Sequence, residues 1–414
     1  MELSFTDQAM LAGDHGDGVA FAMELVVKLA EVSDAPRLID ITSAHIDGCL
    51  YHGEAGTDFV ERMVNGGASV SVPTTLNVSS LDLLHPELYR GSPETAAAAR
   101  RLMDLHVALG CEATWTCAPY QLAVRPSLGE QVAWGESNAI VFANSVLGAR
   151  TNRYGDFADL ACAITGRAPL AGLHTDAGRA ATVLVKLDLD GKWIENELLY
   201  PLLGHWIGSR CGSAIPAIVG LDTRTTEDEL KALGAAAASS GATAMFHAVG
   251  VTPEAGTVVQ ATRSQDVPEL EVSESELIEI RAGFGTGQGR LGAVSVGTPH
   301  MSAAEMTRLA ALTGGKQTSV PFYVNTSRSM LGSLPHEVVD RLSTFGATVV
   351  TDTCTYITPI MGEVEGTVLT NSAKWAYYAP GNLGVGVALG SLTECVSSAV
   401  AGRVELDDPF PGAR

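Results

Sequence analysis

The stretch that decides the fold is Val320–Cys354, VPFYVNTSRSMLGSLPHEVVDRLSTFGATVVTDTC. Val320–Asn325 and Ala347–Thr353 are short runs rich in β-branched and aromatic residues, which predict two strands. Between them, Pro335–Phe345 has the apolar spacing of an amphipathic helix. A helix that joins two apolar strands predicts a βαβ unit, in which the two strands lie parallel in one sheet.

The same alternation of helices and strands runs along most of the chain. Further helices are predicted at Asp17–Val32, Gly56–Val64, Pro93–Leu109, Thr226–Ser239, Ser273–Ala282, Ser302–Leu312 and Glu394–Gly402. Further strands are predicted at Arg37–Thr42, Ala68–Val72, Cys111–Cys117, Asn138–Asn144, Ala181–Leu187, Ala214–Gly220, Ala242–Val249, Leu291–Val296 and Val385–Leu389. The pattern predicts an α/β protein with mainly parallel sheets flanked by helices. Turn density alone suggests a boundary near Gly204, with an N-terminal α/β lobe (1–204) and a C-terminal α/β lobe (205–414) that can interleave.

Composition and charge exclude several classes of protein. Of the 414 residues, 46% are apolar and 18% charged, which is typical of a packed globular chain. A net charge of −21 disfavours nucleic-acid binding, because the phosphate backbone is also negative. The chain starts without a basic segment followed by an apolar run, and no apolar stretch is long enough for a membrane span. We therefore expect a cytoplasmic protein that binds neither nucleic acid nor membrane.

The seven cysteines are odd in number and scattered, which disfavours a disulfide framework. Cys117 and Cys354 follow predicted strands, and Cys395 opens the last predicted helix, where the helix dipole favours a thiolate. Three thiolates from separate loops can hold an iron–sulfur cluster with one iron left open. Three buried core thiols explain the same pattern. The other four are interpreted as core thiols: Cys49, Cys111, Cys162 and Cys211.

Polar side chains follow many of the predicted strands, at the edge where open α/β sheets bind ligands. Trp134–Arg153 combines an apolar run with arginines that can clamp a carboxylate bidentately. A capped loop with surface arginines explains that stretch as well. A third group has a spacing that suits a metal site or a substrate site, although hydrogen-bonded turns often look the same: His45, Asp47, His52 and Glu54.

At these residues the sequence resembles the aconitase X family, specifically its large catalytic subunit, over nearly the whole chain. The resemblance is carried by the following segments: Ser43–His45, Pro73–Asn77, Cys117–Tyr120, Glu136–Asn138, Asn144–Asn152, Gly297–His300, Asp352–Cys354 and Thr370–Lys374, with Cys395 beyond.

The resemblance implies an aconitase-like core with an active-site cleft between lobes and a hydro-lyase activity on a hydroxy acid. It also implies an iron centre, either an iron–sulfur cluster or a mononuclear iron, held by Cys117, Cys354 and Cys395. Bacterial members look like cis-3-hydroxy-L-proline dehydratases, and archaeal members look like mevalonate 5-phosphate dehydratases. We expect cis-3-hydroxy-L-proline as the substrate, because the chain has few lysines that could bind a phosphate group, although Lys374 and Arg328 are candidates for that role. Another hydroxy acid, or a non-catalytic binding or assembly subunit, remains an alternative.

The resemblance also implies roles for individual residues. His45 and His300 are candidates for proton delivery to the departing hydroxyl group. Two further catalytic candidates are Ser137 and Asn144. The substrate-binding candidates are Thr74, Asn77, Asn138, Ser145, Arg150, Thr151, Asn152, Arg153 and Lys374.

Family members also carry a small swivelling β-rich domain, which by resemblance supplies a serine that acts as the base. We expect this swivel domain to be absent from the chain, because the chain ends at Arg414. The expected partners are therefore a separate small subunit carrying the serine and a small hydroxy-acid substrate.

Overall fold

A computed structural model describes residues 1–194, 196–285 and 289–407. The chain forms two compact units, the first made of 1–81 and 91–180 and the second of 82–90 and 181–414. Each unit contains parallel strands flanked by helices, so the predicted α/β class is confirmed. Within the described residues, no helix is both long and apolar enough to cross a membrane.

The first unit is built around a small parallel sheet of strand order β3-β2-β4, beside an antiparallel pair of β1 and β5. Its strands are β1 Leu38–Asp40, β2 Ala44–Ile46, β3 Thr74–Leu76, β4 Ala133–Trp134 and β5 Arg167–Pro169. Its helices are α1 Phe5–Ala12, α2 Asp17–Val32, α3 Glu54–Asn65, α4 Pro93–Ala108, α5 Ser137–Phe142 and α6 Ala158–Thr165. The central strand β2 pairs with both neighbours at His45, which lies opposite Thr75 and Trp134.

The second unit contains two parallel sheets. The four-stranded sheet has the order β8-β7-β6-β9, and the five-stranded sheet has the order β12-β11-β10-β13-β14. The strands are β6 Val183–Asp188, β7 Pro216–Val219, β8 His247–Ala248, β9 Glu269–Ser273, β10 Leu291–Met301, β11 Phe322–Thr326, β12 Ala347–Val350, β13 Thr367–Thr370 and β14 Gly386–Leu389. The helices are α7 Gly191–Ile194, α8 Leu199–Cys211, α9 Glu227–Ser240, α10 Val258–Thr262, α11 Glu274–Gly283, α12 Ala303–Thr313, α13 Arg328–Ser333, α14 His336–Phe345, α15 Ala373–Leu383 and α16 Leu392–Ala401.

The βαβ unit predicted in Val320–Cys354 is present as β11, α14 and β12, with the two strands parallel. Its helix turns an apolar face toward the five-stranded sheet, where Leu342 and Phe345 join a buried apolar cluster. The rings of Phe322 and Phe345 meet edge to face with centroids 5.2 Å apart. Burial of each large apolar side chain contributes about 1.5–3 kcal/mol, so this cluster holds the helix on the sheet.

The strand predicted at Asn138–Asn144 is wrong, because this segment forms α5 and a following π-helical turn, Ala143–Leu147. The side chain of Glu136 caps the helix by accepting a hydrogen bond from the Ala139 amide at 2.7 Å. The described side chains of α5 are almost all buried, so no polar face marks a helical period, and a short apolar run of this kind is ambiguous between helix and strand.

The strand predicted at Cys111–Cys117 is also absent. The segment runs along β3 but forms only an isolated bridge, Thr75 to Glu112. The hydroxyl of Thr114 takes the place of a ladder partner, accepting from the Leu76 amide and donating to the Leu76 carbonyl, both at 2.9 Å. A positive φ of 43° at Trp115 then turns the chain, which ends any regular pairing.

The boundary expected near Gly204 falls inside α8, whereas the two compact units divide near residue 180. Gly204 lies against α9, and a Cβ at this position would sit 2.2 Å from the Leu233 carbonyl oxygen. The glycine therefore permits close packing of two helices and does not mark a turn.

Candidate active site

Cys354 and His300 come together in the second unit. Cys354 lies in the loop after β12, and His300 lies near the end of β10. Both side chains are buried, and the Cys354 Sγ is 3.8 Å from the His300 Nε2. A thiolate binds a metal such as zinc at about 2.3 Å and an unprotonated imidazole nitrogen binds it at about 2.0 Å, so these two groups can reach one ion only when Nε2 has lost its proton. Sulfur and imidazole together suit iron, copper or zinc better than a hard cation.

The hydrogen bonding of His300 defines which ring nitrogen carries its proton. Its Nε2 lies 3.1 Å from the Thr353 carbonyl oxygen. A carbonyl oxygen only accepts, so in this arrangement Nε2 is the donor and bears hydrogen. The imidazole therefore holds a proton at Nε2, beside the sulfur of Cys354.

Asp352 sets the direction of the chain two residues before Cys354. It has a φ of +61°, a left-handed conformation that aspartate tolerates better than most residues. Its buried carboxylate accepts from the Arg328 Nε at 2.7 Å and Nη2 at 2.5 Å, and from the Leu83 amide at 3.1 Å. The hydrogen bond with Asp352 raises the pKa of Arg328. Arg328, which the sequence offered for a phosphate, is thus engaged by a buried carboxylate.

Asp82 fixes the same loop one residue earlier. Its carboxylate accepts from the Thr351 amide at 2.8 Å and from the Thr351 hydroxyl at 2.9 Å. The same carboxylate also lies 3.0 Å from the His85 Nδ1. Two buried aspartates therefore hold the segment that leads from β12 to Cys354.

Cys117 lies in the first unit, after the extended segment beside β3. Its side chain is buried, and its carbonyl oxygen accepts from the Asn138 Nδ2 at 2.9 Å. The same amide nitrogen donates to the Tyr120 hydroxyl, also at 2.9 Å. The buried Asn138 Oδ1 has no hydrogen-bond partner within the described part of the chain. A buried acceptor in that state costs about 1–3 kcal/mol unless a water or a ligand donates to it.

His45 is a buried, neutral histidine of the first unit. Its Nδ1 lies 2.8 Å from the Thr75 hydroxyl. Burial lowers the pKa of His45 to about 4, although the Glu136 carboxylate and the Thr116 main chain act in the opposite direction. At neutral pH its imidazole therefore carries no positive charge.

Asn77 and Thr74 lie on or next to β3, one strand away from His45. The buried Asn77 donates from Nδ2 to the Asp47 Oδ1 at 2.5 Å. The Thr74 hydroxyl donates to the Val72 carbonyl at 2.8 Å and so closes its own turn. Asn77 is therefore coupled to an acid, whereas Thr74 has a local structural bond.

Asn144, Thr151 and Asn152 hold the fold of the loop after α5. Asn144 and Thr151 bond reciprocally, from the Asn144 Nδ2 to the Thr151 carbonyl at 2.9 Å and from the Thr151 amide to the Asn144 Oδ1 at 3.1 Å. The buried Arg179 donates to both the Oδ1 and the main-chain oxygen of Asn144 at 2.9 Å. Asn152 donates to the Ala171 carbonyl at 3.1 Å. These bonds give all three residues a structural function in this unit.

The two arginines of this loop differ in their contacts. Arg150 forms a salt bridge of 2.5 Å with Asp176, whose side chain is 68% exposed. Arg153 is exposed to solvent. Arg150 also donates from Nη1 to the His174 carbonyl at 3.4 Å. A pair with so exposed a partner contributes only about 0–1 kcal/mol, so Arg150 can exchange Asp176 for another carboxylate at little cost.

Ser137, Ser145 and Lys374 complete the predicted set. Ser137 begins α5, and its hydroxyl donates to the Glu136 Oε1 at 3.3 Å. Ser145 is buried in the π-helical turn. Lys374 is buried in the first turn of α15 in the second unit.

Cys395 lies in a different environment from Cys354. It is fully buried in the apolar core around β10, with Val296, Leu369 and Leu392 among its cluster. Burial raises the pKa of its thiol well above the usual range, and the carboxylate of Glu394 adds to this. Among the described residues, its sulfur does not come within 4.8 Å of both Cys354 and His300.

Several buried charged residues near these positions were not predicted. The Asp159 Oδ2 accepts from the Asp47 amide at 2.7 Å across 112 positions of sequence, and burial raises the pKa of Asp159 well above its usual range. Arg179 and Asn144 are 35 positions apart. Bonds of this range leave no local pattern. The sequence shows only a glycine at position 135, and the structure explains it, because a Cβ there would sit 2.4 Å from the Asp159 Oδ2.

Comparison with known proteins assigns the family. The sequence matches the models of the aconitase X first domain over residues 1–177, second domain over 181–282 and third domain over 291–401. The chain belongs to the aconitase X family. It is also similar to a solved structure, Thermococcus kodakaraensis aconitase X in its holo-form, with a TM-score of 0.86, 32% identity and coverage of 96% of this chain and 100% of that one.

Its relatives in this family are named dehydratases. The chain is 41% identical over 422 residues to the cis-3-hydroxy-L-proline dehydratase of Hypocrea jecorina, covering 100% of this chain and 70% of that protein. It is 43% identical over 412 residues to the Pseudomonas aeruginosa protein of the same name, covering 96% and 70%. It is 35% identical over 386 residues to the phosphomevalonate dehydratase large subunit of Thermococcus kodakarensis, covering 91% and 95%. The predicted family and hydro-lyase class of this aconitase X protein are therefore confirmed.

Proposed function

We propose that this chain is the large catalytic component of a cis-3-hydroxy-L-proline dehydratase. The observation that carries the proposal is the difference in similarity, with 41 and 43% identity to the two proteins of that name against 35% to the phosphomevalonate enzyme. Both former relatives are matched across at least 96% of this chain.

The contacts of the second unit support this choice over a phosphorylated substrate. Mevalonate 5-phosphate needs cations for its phosphate, and Arg328 already binds Asp352 through two nitrogens. Lys374 remains the candidate cation of this unit for a phosphate. An imino acid carries one carboxylate and one ammonium group, so it requires fewer cations from the protein.

The donor set supports an iron centre at Cys354. The thiol of Cys354 suits a soft metal, and by family resemblance Cys117 supplies a further sulfur. When bound, an iron centre with an open position acts as a Lewis acid toward a hydroxyl group. Cys395 remains a proposed ligand on resemblance, although its sulfur lies in an apolar core. The proposal covers both a cluster and a single iron.

The two histidines receive different tasks. His300 holds a proton at Nε2, 3.1 Å from the Thr353 carbonyl oxygen, and is proposed to deliver it to the departing hydroxyl group. His45 is neutral, since burial lowers its pKa to about 4, and this makes it a weak base that is better suited to hydrogen bonding than to proton transfer. Loss of water gives an enamine that isomerises to a cyclic imine without help from a further residue.

The substrate carboxylate is proposed to bind at the loop after α5. Arg153 is exposed, and Arg150 is held by a partly exposed pair with Asp176 and by a 3.4 Å hydrogen bond to the His174 carbonyl. Ser137, Asn138 and Ser145 are the proposed polar lining beside them, and the Asn138 Oδ1, which has no partner in the described residues, can accept from the ammonium group of the imino acid. Arginine is suited to this task because its two nitrogens match a carboxylate.

We propose that a small domain with a catalytic serine completes the enzyme. The two hydroxyproline dehydratases extend beyond the 70% of their length that this chain matches. The Thermococcus relative is named a large subunit, which implies a small partner of that protein. Co-expression of this chain with the small domain from a hydroxyproline relative tests whether the two associate.

The deciding experiment is an assay of the iron-loaded chain with its small domain on both substrates. Proton NMR follows loss of the signal at carbon 3 of cis-3-hydroxy-L-proline and, separately, conversion of mevalonate 5-phosphate. We expect turnover of the imino acid and a rate at least 100-fold lower on the phosphate. Faster turnover of mevalonate 5-phosphate would falsify the substrate assignment, and turnover of neither with full iron loading contradicts the dehydratase proposal.

A further inference from the structure

The end of β10 that carries His300 is irregular. Its register with β11 shifts between Val296 and Met301. Gly297, with a φ of +88°, lets this bulge form, because a Cβ there would sit 2.3 Å from the Asn325 carbonyl oxygen. A bulge loses regular ladder bonds, so the carbonyl groups in it need other donors.

Three side chains from three different elements supply those donors. The Ser372 hydroxyl donates to the Thr298 carbonyl, and the Thr326 hydroxyl donates to the Met301 carbonyl at 2.8 Å. The third donor is the ammonium of Lys231, which lies 3.4 Å from the His300 carbonyl oxygen. The main chain of His300 is thus fixed on both sides and at its own carbonyl.

Lys231 reaches this point from α9, in the second domain of the family, and only 2% of its side chain is exposed. Its Nζ also bonds to Asp228 at 3.0 Å and to Glu305. Burial lowers the pKa of Lys231, but the two carboxylates outweigh burial and raise it, so the ammonium stays charged. Glu305 in turn accepts from the Ser302 amide at 2.8 Å, two residues after His300.

We propose that Lys231 is a positioning residue of the active site, which holds the His300 main chain so that Nε2 stays beside Cys354. The inference rests on the proposed function for its catalytic meaning, but the contact itself does not. None of the site residues predicted from the sequence lies in 181–282, so this gives the second domain its first task at the site. A buried lysine that served only to neutralise Glu305 would not need to face His300.

The test follows His300 by NMR in protein labelled with ¹⁵N-histidine. Long-range proton–nitrogen correlations distinguish a protonated Nε2 from an unprotonated one, and the His300→Gln variant assigns the signal. The main variant is Lys231→Met with Glu305→Gln. Gln at position 305 can still accept from the Ser302 amide and so preserves the helix cap. It also removes the negative charge of Glu305, which would be left unpaired once Lys231 is replaced. Glu305→Gln alone and the exposed Lys186→Met are the matched controls.

We expect the His300 signal of the double variant to shift or split, because its ring no longer keeps one arrangement, while both controls match the parent. Lys231→Gln is the second variant, since it keeps a polar donor but its chain is one bond shorter and does not reach a carbonyl already 3.4 Å from Nζ. An unchanged His300 signal in either folded variant overturns the proposal.

Kinetics separate this inference from the proposed function. In the active enzyme the double variant should lower kcat by about 10-fold or more with little change in KM, because small misplacement of a catalytic group reduces rate strongly. A parent enzyme without dehydratase activity contradicts the proposed function but leaves the NMR result valid. An active parent with an unchanged NMR signal and kcat in the variant contradicts the positioning role alone.

Discussion

Replacement of Arg328 by glutamine tests how the loop before Cys354 is held. The variant removes two hydrogen bonds to Asp352, of 2.7 and 2.5 Å, from a carboxylate that is fully buried. The Leu83 amide, at 3.1 Å, remains as a donor to the same group. Asp352 has a positive φ, which is an unfavourable backbone conformation, so the lost hydrogen bonds are ones that hold a strained residue in place.

The magnitude follows from burial. A hydrogen bond to a charged group contributes about 1.5–3 kcal/mol, and two such bonds are lost. The Arg328 side chain is 31% exposed, so water replaces part of what is lost. We therefore expect the free energy of unfolding of the second unit to fall by about 2–3 kcal/mol, well below the sum of two full bonds.

A matched surface pair gives the control. Arg341 and Glu337 form a contact of the same 2.5 Å length, but their side chains are 54% and 74% exposed. Arg341→Gln should cost no more than about 0.5 kcal/mol, the usual contribution of such a helical pair. Urea unfolding, followed by circular dichroism and tryptophan fluorescence, measures both variants against the parent.

Two results would refute the reasoning. One is a loss for Arg328→Gln no larger than that for Arg341→Gln, which would mean that burial of Asp352 does not strengthen the pair. The other comes from the cycle of Arg328→Gln with Asp352→Asn, where a coupling energy below about 0.5 kcal/mol shows that the two side chains act independently.

Three other predictions concern the cysteines, a histidine and a glycine. Cys354→Ala and Cys395→Ala should both lose bound iron, which iron analysis measures. If Cys395→Ala keeps its iron and only loses about 1–2 kcal/mol of stability through a small cavity in urea unfolding, Cys395 is a core thiol and not a ligand. Burial lowers the pKa of His106 to about 4, so between pH 6.5 and 4 the unfolded chain binds a proton that the folded chain does not, and the free energy of unfolding falls as pH falls. His106→Gln should reduce this dependence of unfolding free energy on pH, and an unchanged dependence contradicts the lowered pKa of His106. Gly204→Ala should destabilise the second unit by about 1–3 kcal/mol, because the new Cβ would clash with α9. The control Gly381→Ala has open space around its Cβ and should be neutral or stabilising, so equal melting temperatures for the two variants would show that α8 and α9 can separate without cost.

The regular elements of the fold were predictable because each carries its own period. The helices at Asp17–Val32 and Pro93–Ala108 and the βαβ unit around α14 match their predicted positions closely. The prediction failed at α5, where an apolar helix enclosed by protein shows no amphipathic pattern. It also failed where a side chain replaces the main chain in the ladder, as Thr114 does beside β3.

The candidate site was predictable only in part, for a related reason. Sequence motifs identify Cys354 and His300, which lie 54 positions apart, but not that they lie 3.8 Å from each other. The helix start at Cys395 looked suitable for a thiolate, yet burial in an apolar core raises the pKa of this thiol. Desolvation depends on the surrounding side chains from distant parts of the chain, so no local pattern reveals it.

Charge gives an argument about the substrate that does not depend on similarity. The chain carries a net charge of −21, so any anionic ligand must be attracted by local cations. Two basic residues of the second unit are already neutralised, since Arg328 binds Asp352 and Lys231 binds Glu305 and Asp228. A phosphorylated hydroxy acid brings about −2.5 to −3 charges, because the phosphate alone contributes about −1.5 to −2. A zwitterionic imino acid has no net charge, so binding it to this negatively charged protein costs far less electrostatic energy. It needs only one arginine for its carboxylate.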